Sequence, residues 1–104
     1  MNIPNAILKS IDENLKIEFT PFKVSQLSYG DFHHPCHWSV SYHGKILCSH
    51  ETEASARYRF QTLSRTLALM AAAGAIDSNE PISNSMLGKL WLREHDVSQM
   101  LANS

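Results

Sequence analysis

Between Trp38 and Met70 the apolar spacing switches from every second residue to alternating steps of four and three, and this switch most constrains the fold. Trp38, Val40 and Tyr42 alternate with Ser39 and Ser41, His43-Gly44 follows, and the stretch KILCSH returns. A period of two is the mark of a strand with one buried face, and glycine supplies the positive φ of a two-residue hairpin turn. Past Thr52, a good helix cap, Ala56, Phe60, Leu63, Leu67 and Met70 form one helical stripe. That helix is expected to run to about Ala73 and to stop at Gly74.

The remaining elements follow from the same two periods. Ile3, Ile7 and Ile11, with Leu8, predict a helix over 3–13, and Pro4 is tolerated in its first turn. Leu15, Ile17 and Phe19 alternate with Lys16, Glu18 and Thr20 in a strand that Pro21 ends or marks as an edge. Residues 23–35 read as a loop or irregular strand, with Tyr29-Gly30-Asp31 as a turn signal. After the polar connection from Asp77 to Pro81, Ser83 or Asn84 caps a last helix whose apolar side is Leu87, Leu90, Trp91, Val97 and Leu101. The expected fold is α+β in the order α-β-β-β-α-α. It is one domain over 1–104, with about three antiparallel strands and helices packed on one face.

Charge narrows the function classes. Nine Lys and Arg against ten carboxylates leave a net charge of −1 over 104 residues. That balance disfavours a basic nucleic-acid footprint and equally an acidic surface imitating DNA. Arg57, Arg59 and Arg65 spread around their helix, while Lys89 and Arg93 form an i, i+4 pair of the kind usual on a solvated face. No apolar run has the length of a membrane span and no secretory signal is expected, so the reading is cytoplasmic, with reduced thiols.

The densest chemistry is FHHPCHWSVSYHGKILCSHE, from Phe32 to Glu51, which holds five of the six histidines and both cysteines. Taken without irregularity, the turn sets Tyr42 opposite Lys45, Val40 opposite Leu47, Ser39 opposite Cys48 and His37 opposite His50. His37, Cys48 and His50 then share one face as candidate zinc ligands, with Cys36, His34 or His33 as a fourth. The spacings match no familiar zinc template, and an ordinary polar hairpin face explains the same residues. Cys36, with His33, His34 and His37 around it, is a candidate nucleophile. No phosphate loop, dinucleotide fingerprint or paired carboxylate accompanies it, so the chain is read as non-enzymatic, with no cofactor other than the zinc candidate.

The long helix carries a second feature. On a helical wheel Tyr58, Arg65, Leu69 and Ala72 lie opposite the core stripe, where an ordinary surface helix carries charge. Either the last helix covers this side, or a second copy or another protein does. Tyr58, Arg65 and Leu69 are therefore the candidate partner-binding residues.

From Trp38 to Ala56 the pattern W-S-V-S-Y-H-G-K-I-L…T-E-A-S-A resembles the hairpin-then-helix unit of small phage and mobile-element proteins, the arm-binding domains of phage integrases among them. It departs from the integrases in lacking their basic strands. In size, charge and scarcity of motifs the chain also resembles phage inhibitors of host defence such as anti-CRISPR proteins. That likeness implies a protein that binds and inhibits a host protein complex. No single residue carries it, so it transfers no site. The alternatives are a zinc-stabilised module binding nucleic acid and a cysteine-dependent enzyme.

Overall fold

The computed structural model describes residues 3–21 and 36–102, with the backbone alone at 20, 21, 36 and 37. Its elements are α1 (Asn5–Asn14), β1 (Leu15–Pro21), β2 (Cys36–Tyr42), β3 (Lys45–His50), α2 (Glu53–Ala72) and α3 (Asn84–Ala102). The strands form one antiparallel sheet in the order β1-β2-β3, and the fold is α+β. The expected loop over 23–35 lies outside the described residues.

Local chemistry explains the boundaries. Thr52 Oγ1 accepts the Ser55 N–H at 3.2 Å and caps α2. At its other end Gly74 takes φ +79°, its N–H bonds the Ala71 carbonyl, and the Ala75 N–H bonds the Met70 carbonyl at 2.9 Å. That pair of bonds is a Schellman ending, which needs the left-handed conformation glycine adopts freely. The hairpin turn has positive φ at both His43 and Gly44. The cost at His43 is offset by a backbone bond to the Asn14 carbonyl at 3.0 Å and a ring-nitrogen bond to the Ser78 carbonyl at 3.0 Å.

The Ser78 carbonyl is a node. Ser10 Oγ donates to it at 2.8 Å and Tyr42 OH at 3.2 Å, alongside His43. Three donors exceed two lone pairs, and Ser10 has a second acceptor in Asn79 Oδ1 at 2.9 Å. The α2–α3 connection is thereby tied to α1 and to the hairpin.

The core lies between the sheet and α2, which touches all three strands, while α3 packs mainly on α2. Ile11, Leu15, Val40, Tyr42, Leu63, Leu67 and Leu90 are fully buried at its centre. Two cross-strand pairs, Leu15 with Tyr42 and Ile17 with Val40, floor it. The third pair, Phe19 and Trp38, brings its ring centroids to 4.8 Å with the planes tilted by 59°, but Phe19 is exposed at the sheet's far end. No helix among the described residues is long and apolar enough to cross a membrane.

One expectation is corrected. Tyr42 faces Lys45 and Ser41 faces Ile46, but Val40 then faces Cys48, and His50 faces Trp38 rather than His37. A β-bulge leaves Leu47 as an extra residue on β3 and shifts the register by one beyond it. Leu47 packs against the core while Ile46 is exposed. The slip sets Cys48 and His50 beside Val40 and Trp38, on the side of the sheet that α2 covers.

Candidate functional site

Two groups of side chains stand out, one under α2 at the end of β3 and one along the α2–α3 seam. In the first, His50 Nε2 is 3.1 Å from Cys48 Sγ and His50 Nδ1 is 3.1 Å from Ser55 Oγ. The bulge positions the first two residues, and the Thr52 cap brings the first turn of α2 over them. Burial pushes the Cys48 thiol up, and nearby Glu94 adds to this against Arg59 and a bond from the Val40 backbone. Burial pushes the His50 imidazole down, helped by Arg59 and opposed by Glu94. Both groups therefore favour their neutral forms. A neutral His50 ring bridges Cys48 and Ser55 with one nitrogen donating and the other accepting. The trio is a relay of neutral hydrogen bonds, not a thiolate–imidazolium pair.

His37, the third expected ligand, has its side chain outside the described residues, as do Cys36, His33 and His34. Among the described residues no group of three or more His, Cys, Asp or Glu side chains gathers as a metal shell. The structure thus brings together two of the three named ligands, Cys48 and His50.

The second group joins α2 to α3. Arg59 Nε and Nη2 each donate to a Glu94 carboxylate oxygen at 2.8 Å, and the guanidinium lies 5.6 Å from the centroid of the Trp91 ring. Tyr58 OH and Ser98 Oγ are 2.8 Å apart. These residues line a shallow groove of about 310 Å³. Thr62 and Thr66 turn their hydroxyls back onto the Tyr58 and Thr62 carbonyls, so the buried polar atoms of this seam are satisfied.

Farther along the seam, Arg65 and Leu69 line a groove of about 510 Å³ with Val97, Met100 and Leu101 from α3. Arg65 is exposed, Leu69 is half-buried, and Met100 is 65% exposed. The last helix therefore covers part of the Tyr58–Arg65–Leu69 side. It holds the Tyr58 hydroxyl, narrows the space over Leu69 and adds its own apolar residues to the rim.

Arg59 and Glu94 are the residues sequence reasoning passed over. Glu94 sits between Leu90, Trp91 and Val97 on the apolar side of α3, and a carboxylate there requires a partner. No protein-family model, curated protein or solved structure matches the chain.

Proposed function

We propose that this chain is a non-enzymatic protein-interaction domain that binds a host protein complex through the α2–α3 side around Tyr58, Arg65 and Leu69. It would act there as small phage inhibitors do. The observation that carries the reading is the groove in which exposed Arg65 sits among Leu69, Met100 and Leu101. An arginine framed by accessible apolar side chains offers the buried area and directional hydrogen bonds that dominate binding hot spots. Burial disfavours the thiolate of Cys48, which counts against a nucleophilic role for that residue, while Cys36, the nucleophile expected from the sequence, has its side chain outside the described residues. The test is Arg65→Glu in cells that carry the host complex. Co-purification of the complex should fall while the thermal midpoint stays within a degree or two. An unfolded Arg65→Glu protein, or undiminished co-purification, would remove the basis for this face.

A second reading has one observation behind it. Cys48 Sγ and His50 Nε2, at 3.1 Å, lie near the roughly 3.5 Å separation of sulfur and nitrogen on a tetrahedral zinc ion. A small widening would let both bind zinc; the observed register sets Trp38 rather than His37 opposite His50, so the third ligand would have to come from Cys36, His34 or His33, the other candidates in the sequence. Elemental analysis of untagged protein purified without chelator tests it. Near-stoichiometric zinc that is lost on Cys48→Ala supports the module, and metal-free protein excludes it.

A further inference from the structure

We infer that the exposed stripe of α3 running through Lys89, Arg93, Asp96 and Met100 pairs two copies of this chain across a two-fold axis. These positions recur at steps of four, three and four, so they share one side of the helix. They border α2 along two further grooves, one lined in part by Leu69, Arg93, Asp96 and Met100, the other by Ala73, Lys89 and Leu92. Leu92, at 71%, and Met100, at 65%, are the two most exposed large apolar side chains among the described residues.

The charges identify the occupant. Arg93 and Asp96 lie one turn apart and carry opposite signs, and among the described residues neither has an ion-pair or hydrogen-bond partner. When two α3 helices run antiparallel with the two-fold axis between these residues, each Arg93 meets the other copy's Asp96, twice per dimer. The same pairing sets each Lys89 beside the other copy's Met100, in the last turn of α3. There the lysine stem covers the thioether, and its charge faces the negative end of the helix dipole. A surface that complements itself under two-fold rotation is what an isologous dimer requires.

The stripe shares Leu69 and Met100 with the rim of the Arg65 groove but not Arg65 itself, so a second copy and the host complex would compete for that rim; sedimentation equilibrium tests the pairing on the full chain. The wild-type protein should show twice the 11.7 kDa chain mass at micromolar concentration. Arg93→Asp and Asp96→Arg should each be monomeric, with the dimer dissociation constant raised about a hundredfold by like charges at two symmetric contacts. Each variant should keep the wild-type circular dichroism spectrum. Mixing the two variants should restore the doubled mass, because each then meets opposite charge at both contacts. A wild-type monomer across the concentration range, or variants that stay apart on mixing, would overturn the proposal. Arg65→Glu should remain dimeric, so failure of the groove and failure of the dimer are read separately.

Discussion

Arg59 on α2 holds Glu94 on α3 through two parallel hydrogen bonds of 2.8 Å, and the two partners are unequally buried. The Arg59 side chain is 31% exposed and that of Glu94 only 11%. Removing one partner therefore differs from removing the other. After Glu94→Ala, the guanidinium can turn toward water, and the expected loss is about 1–2 kcal/mol. After Arg59→Ala, a carboxylate stays buried beside Trp91 without its cation, and the expected loss is about 3 kcal/mol. Urea unfolding of the two variants and the double variant reads both the order and the coupling. Equal losses would mean that the pair is more solvated than its geometry indicates.

Stability should fall at both ends of the pH range, for identifiable reasons. The folded state holds His50 below the ordinary imidazole value of 6.5. The unfolded chain then binds the proton more readily, so stability present above 6.5 is lost as pH falls from there toward the folded value. Tyr42, buried and near Asp77, is raised from 10.0 to about 12, so the stability it contributes is lost as pH rises from 10 toward 12. Tyr42→Phe should flatten the alkaline limb in thermal melts. At neutral pH it should cost less than about 1 kcal/mol, since the Ser78 carbonyl keeps Ser10 and His43 as donors. His50→Gln should flatten the acid limb.

Cys48 should be a slow thiol. Half-buried, raised by burial and hydrogen-bonded to a neutral imidazole, it has little thiolate at pH 7. Iodoacetamide should label it at least about tenfold more slowly than a free cysteine, with the rate still climbing above pH 9. Peptide mapping by mass spectrometry separates its label from that of Cys36. Fast labelling at neutral pH would mean that burial does not suppress the Cys48 thiolate.

Gly74→Ala should cost about 1 kcal/mol although an added methyl group meets nothing within 4 Å. The penalty comes from φ +79° alone, so Gly74→Asn, which tolerates that conformation better, should lose less in the same denaturation series.

Much of this fold was legible in the sequence because periodicity records burial. The Ala56-to-Met70 stripe, the Thr52 cap, the Gly74 stop and the Tyr42–Lys45 closure all appear where their patterns put them. The bulge was not legible. KILCSH contains two adjacent branched apolar residues, and only the packed core decides that Leu47 enters while Ile46 faces water. That single extra residue changed what Cys48 and His50 face. The pairing of Arg59 with Glu94 spans 35 residues, and no local period encodes it. The lone carboxylate on the apolar side of α3 was its only trace. Whether α3 or a partner covers Tyr58, Arg65 and Leu69 was open from the wheel, because a wheel shows one helix without its neighbours.

The side of α2 bearing Arg65 and Leu69 is proposed to meet another protein. The most direct measurement of that contact places a photo-crosslinking benzophenone residue at position 65, and in a control at the exposed Asp12 of α1, in cells carrying the host complex. A discrete higher-mass adduct from position 65, absent from position 12 and containing a host subunit, is the expected result. Equal adducts from both positions, or none from position 65, would contradict the claim.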